Sequence, residues 1–97
     1  MEMDAIFKAL ANPLRRRILV WLKRPTSYVS PADRMQEGAT AAELQRLCGL
    51  AQSTVSVHLH VLTKAQLVTP VRVGQQTLFR RNEDTLDRLK EHAQRLL

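Results

Sequence analysis

Acidic residues are missing from Leu44 through Asn82, a gap that holds Arg46, Lys64, Arg72, Arg80 and Arg81. A surface without carboxylates does not repel phosphates. The whole chain carries a formal charge of +6, which favours a polyanionic partner. Charge alone does not separate a phosphate-facing surface from a solvated basic face. The acids gather instead at the N-terminus, around Asp33, Glu37 and Glu43, and in the last fifteen residues.

Other scarcities narrow the field. There is one cysteine, Cys48, so neither an intramolecular disulfide nor a redox pair within one chain is available, and a reducing compartment fits. Three glycines leave no phosphate-cradling loop, and no nucleophile sits beside a base in any recognisable arrangement, so no enzyme is expected. No apolar run is long enough to span a bilayer. The opening Met1-Glu2-Met3-Asp4 lacks the basic-then-apolar order of a signal peptide, so a cytoplasmic protein without membrane contact is expected. A length of 97 residues suits a single domain, 1–97, for which dimerisation would add buried apolar area.

The pattern that is present is mainly helical. Met3, Ile6, Phe7 and Leu10 recur at helical spacing. Asn12-Pro13 then reads as a cap and first position of a second helix running to about Lys23, with Leu14, Ile18, Leu19 and Leu22 inward and Trp21 at the edge. Arg15, Arg16 and Arg17 cannot share one face, and solvated arginines on a structural helix are the favoured reading. Residues Arg24 to Ala39 hold Pro25, Pro31 and Gly38 and read as a long loop, tacked down by Tyr28 and Val29. Thr40-Ala41-Ala42-Glu43 matches a capping box. The helix it starts ends at Gly49, suited to a left-handed cap, with Leu50 as a buried turn residue.

Gln52 or Ser53 is expected to cap the next helix, whose Val55, Leu59 and Leu62 face inward. From Leu67 to Arg81 the period changes to that of a β-hairpin broken at Gly74, with Pro70 at an edge. A last helix follows from Glu83 to Leu97, carrying Leu86, Leu89, Ala93 and Leu96 on its apolar side.

Two helices joined through Gly49-Leu50 and followed by a hairpin make a winged helix-turn-helix, a mainly α (α+β) fold of about five helices and a two-stranded wing. In such a fold the first helix props the second so that its N-terminal residues enter the major groove of double-stranded DNA. Base edges there need short hydrogen-bonding groups. Gln52, Ser53, Thr54, Ser56 and His60 supply them, and Val57 lies on the same face. Arg72 and Gln75 at the wing tip reach flanking backbone or minor groove. Arg46, Lys64 and Arg80 position the duplex rather than read it.

The run from Phe7 to Leu19, FKALANPLRRRIL, resembles the opening helices of ArsR/SmtB-type repressors. Leu50 to Leu62, LAQSTVSVHLHVL, followed by Ala65-Gln66-Leu67-Val68, is similar to their recognition helix and its passage into the wing. The resemblance covers nearly the whole chain except Arg24 to Ala39. It implies a homodimer paired through the first and last helices at Met3, Ile6, Phe7, Leu10, Leu86, Leu89, Ala93 and Leu96, a repressor bound to an inverted-repeat operator and released by a signal. Two positions depart from the pattern. Gln66 stands where many relatives have Gly, and Val57 where Arg is frequent.

The ligand pairs of metal-sensing relatives are not intact. Cys48 stands alone on an apolar stripe, and Asp84, Asp87, Glu91 and His92 are better read as solvated helix charges than as a metal site. No metal and no cofactor are expected, and the effector is not specified by the sequence. His58 is expected to pack near the hydrophobic seam and His60 to face outward. Winged helices also serve as protein–protein modules, the alternative to sequence-specific DNA binding. It would be favoured if replacing Ser53, Thr54 and Arg72 together left DNA affinity unchanged.

Overall fold

A computed structural model describes residues 3–23 and 38–97. Tyr28, Val29 and most of the Arg24–Ala39 segment lie outside the described residues. Five helices and one hairpin follow in order: α1 (Met3–Leu10), α2 (Pro13–Lys23), α3 (Ala41–Cys48), α4 (Gln52–Lys64), β1 (Val68–Val73), β2 (Gln76–Arg81) and α5 (Glu83–Leu96). This is the winged helix-turn-helix architecture expected from the pattern.

Local chemistry sets the helix ends. Asn12 Oδ1 accepts from the backbone N–H of Leu14 at 2.8 Å and of Arg15 at 3.3 Å, giving α2 its cap. Arg15 and Arg16 turn back to the end of α1, where Arg16 Nη1 donates to the Leu10 carbonyl at 2.6 Å and Arg15 Nη1 to those of Lys8 and Ala9. Guanidinium groups thus satisfy carbonyls left over at a helix C-terminus. The capping box of α3 is complete: Thr40 Oγ1 accepts from the Glu43 N–H, and Glu43 Oε1 accepts from the Thr40 N–H at 2.8 Å. Gly49 closes α3 in the left-handed region at φ 68°. Asn82 caps α5 by accepting from the Thr85 N–H.

The core lies where α1, α2, α3, α4 and the base of the hairpin converge on Ile6, Ile18, Leu44, Leu62, Leu67 and Leu78, each with no exposed surface. Trp21 packs half-buried against it. In the hairpin, Val68 pairs with Arg81 and Val73 with Gln76 in antiparallel register. Gly74, at φ 60°, is the first of the two turn residues, the position where a tight hairpin favours glycine. Pro70 sits inside β1 opposite Phe79, tolerated because the sheet has only two full strands.

Three local expectations need correction. Leu50 is not buried but 42% exposed, because the left-handed turn at Gly49 carries the chain outward before α4 begins. Neither Gln52 nor Ser53 caps α4. Ala51 holds the cap position in an extended conformation without a side-chain hydrogen bond, so both polar residues fall inside the first turn. Finally, Ala39 is not loop. Its N–H donates to the Phe79 carbonyl and its carbonyl accepts from the Phe79 N–H, at 3.1 and 2.8 Å, adding a one-residue third strand to the wing. Gly38 makes this possible: a Cβ there would stand 2.7 Å from the Phe79 carbonyl oxygen.

Candidate nucleic-acid interface

The buried side of α4 is formed by Val55, Leu59 and Leu62, exposed by at most 3%. At 100° per residue, Ser53, Ser56, Val57, His60 and Lys64 then fall on the opposite side as one stripe, flanked by Gln52 and Thr54. All seven are exposed. Val57, 60% exposed, is an apolar spot in an otherwise polar stripe and suits contact with a thymine methyl. Because Ala51 offers no side-chain acceptor, the first N–H groups of α4 are left for an external acceptor, and Gln52 and Ser53 keep their side chains for other partners.

The remaining nominated residues are dispersed around this stripe. Arg46 is exposed on α3, and Arg72 and Gln75 are exposed at the wing tip, where Arg72 Nη1 donates to Thr77 Oγ1 across the strands at 3.3 Å. Arg80 is half-buried on β2. Lys64 closes α4, roughly 18 Å along the axis from Gln52 at 1.5 Å per residue, so it does not join the N-terminal group.

One residue behind the stripe links α4 to α2 by a side-chain hydrogen bond. Half-buried His58 accepts at Nδ1 a hydrogen bond of 3.1 Å from Arg15 Nε of α2. Burial, and then the Arg15 charge, lower its pKa below the ordinary 6.5, which keeps the ring neutral and its Nδ1 an acceptor. Sequence spacing put His58 near the seam but gave no sign of Arg15 as its partner, 43 positions away.

Elsewhere, Cys48 is only half-buried. Burial pushes its thiol up, with Arg17 acting in the opposite direction, so the protonated form dominates. Among the described residues no group of three His, Cys, Asp or Glu side chains is placed to hold a metal ion. Asp84 pairs with Arg88 and Asp87 with Lys90. The His92 ring lies against Phe7, centroids 5.9 Å apart, which brings α1 and α5 together. On those helices Phe7 and Leu96 are 41% and 64% exposed, and Met3, Leu10, Leu89 and Ala93 are half-buried. Ile6 and Leu86 depart from the sequence expectation. They are buried in the chain's own core at 0% and 8%, and so have little or no surface left for a partner. Among the described residues no helix is long and apolar enough to cross a membrane.

A prop helix, an exposed polar helix and a β-hairpin define a winged helix-turn-helix protein of the DNA-binding type. The helix-turn-helix domain family model matches residues 10–71. An uncharacterized HTH-type transcriptional regulator of Bacillus subtilis (strain 168), YbzH, is 33% identical over 94 residues, 94% of each chain. The ArsR-like transcriptional regulator from Rhodococcus sp. RHA1 has the same fold, with a TM-score of 0.74 at 22% identity over 96% of this chain and 76% of that one. The homodimeric winged helix-turn-helix DNA-binding domain of Mb0332 from Mycobacterium bovis, a possible ArsR-family regulator, gives 0.69 at 26% identity, covering 97% and 76%. The chain belongs to the helix-turn-helix domain family of transcriptional regulators, and the solved structures that share its fold include regulators named as ArsR-type. These relatives are regulators, not enzymes.

Proposed function

We propose that the chain is a homodimeric repressor that binds an inverted-repeat operator, with one α4 in each of two successive major grooves. The observation that carries this reading is the exposed stripe Ser53, Ser56, Val57 and His60 beside the uncapped start of α4, set in a stretch without a single carboxylate. Gln52 and Thr54 flank the stripe and add a bidentate amide and a methyl-bearing hydroxyl for base edges. Arg72 and Gln75 follow the flanking backbone, while Arg46, Lys64 and Arg80 set the register through phosphates.

The dimer forms through α1 and α5, where exposed Phe7 and Leu96 would lose apolar area to water-free contact. That the Mycobacterium bovis domain of the same fold is homodimeric supports a dimer here. Two-fold symmetry then spaces the half-sites by about one helical turn, about 34 Å. Release by a signal completes the regulatory cycle.

Selection from a random duplex pool tests the proposal. A palindromic consensus should emerge, with log affinity falling against log salt by about 0.9 for each phosphate neutralised. Replacing Gln52, Ser53 and Thr54 together by Ala should abolish the consensus while leaving the folded state intact. No enrichment at moderate salt, or a consensus insensitive to that triple change, would refute it.

A further inference from the structure

Between α1 and the C-terminal half of α4 opens a groove of about 340 Å³. Its floor is Ala5, Ala9, Val61 and Ala65, and its rim carries Lys8, His60 and Lys64. The groove exists because small side chains meet where two helices approach: Ala9 and Ala65 are 0% and 7% exposed yet too short to fill the space outside them. The rim residues are all exposed, and among the described residues no acid lines the groove. Among the described residues the ion pairs are Arg81–Glu83, Arg88–Asp84 and Lys90–Asp87, so neither rim lysine has a carboxylate partner.

We infer that this groove binds a small organic monocarboxylate with an apolar body. The chemistry selects that class. An apolar floor rewards a hydrocarbon or aromatic body by removing it from water. Two ammonium groups and an imidazole at the edge reward one anionic head. A polyphosphate has no apolar body for the floor, and a neutral hydrocarbon leaves the lysines unused. A volume of about 340 Å³ is at the lower end of the range for small-molecule sites, roughly 300–1,000 Å³. The site ties α1 to α4, the helix that carries the exposed stripe, so an occupant would bear on their relative placement. Binding itself does not depend on the operator reading, and its test uses no DNA.

Octanoate, with one carboxylate on an unbranched alkyl chain, is the probe. Titrated into the full chain and followed by amide chemical shifts, it should perturb Ala5, Ala9, Val61 and Ala65. Octanamide, which keeps the body and loses the charge, should bind roughly tenfold more weakly, as two partly exposed charge pairs imply. The double variant K8Q/K64Q should show the same loss. A5L, which fills the floor without changing charge, should block octanoate while keeping the wild-type circular dichroism spectrum. The inference is overturned if octanamide binds as well as octanoate. It is equally overturned if both variants retain wild-type affinity, or if equimolar inorganic phosphate displaces octanoate.

Discussion

Gln66 leaves α4 with a left-handed backbone, φ 62°, as the only described residue other than glycine with a positive φ. Its side chain is exposed, and its role in the turn is carried by the backbone, whose N–H donates to the Thr63 carbonyl at 3.0 Å. Replacing Gln66 by Gly therefore changes the backbone cost and little else. A side-chain-bearing residue in this region costs about 1–2 kcal/mol. Glycine recovers that amount but makes the unfolded chain more flexible, which costs about 0.4–1 kcal/mol. The net expectation is a gain of about 0.5–1 kcal/mol, or about 3–6 °C in Tm for a domain of this size.

The converse change makes the measurement self-checking. Gly49 has nearly the same backbone at φ 68° with nothing near its Cβ position, so Gly49→Ala should cost about 0.5–1 kcal/mol. Both should be measured by thermal melts at one fixed protein concentration, since association raises apparent stability. A lower Tm for Gln66→Gly would refute the reasoning, because it would mean that the glutamine side chain contributes more than its strain costs.

Gly38→Ala should cost more, about 2 kcal/mol or above, since its Cβ would stand 2.7 Å from the Phe79 carbonyl at φ 111°. Urea melts should show the loss, and hydrogen exchange should show it at the Phe79 amide. Thr40→Ala should cost about 1–2 kcal/mol, because it removes both the cap of α3 and a 3.0 Å hydroxyl donor to the 5%-exposed Glu43. A loss near zero by urea denaturation would show that the capping box is incidental. Because the folded pKa of His58 lies below 6.5, its contribution to stability is present above that pH and lost as pH falls below it. Between pH 7.5 and 5.5, wild type should lose more Tm than His58→Gln. Equal losses would remove the Arg15–His58 account.

Short-range chemistry was legible in the sequence because it is local. The capping box at Thr40 and Glu43, the left-handed turn at Gly49 and the hairpin break at Gly74 each rest on residues within four positions of one another. The apolar stripe Val55, Leu59 and Leu62 likewise decided by periodicity alone which side of α4 is exposed. A resemblance spanning both ends of the chain supplied the family. The cap at Ala51 and the exposure of Leu50 were not legible in this way, because the length of a turn depends on how the flanking helices dock.

What the tertiary structure decided lies between residues far apart in the chain. Ala39 meets Phe79, and Arg15 meets His58. Ile6 turns into the core while Phe7, one residue on, stays exposed beside His92, a distinction that helical spacing alone does not make. The groove between α1 and α4 exists only because Ala5 and Ala9 come opposite Val61 and Ala65. Periodicity fixes which side of an element is apolar. Only docking fixes which other element that side meets, and how much of it remains open.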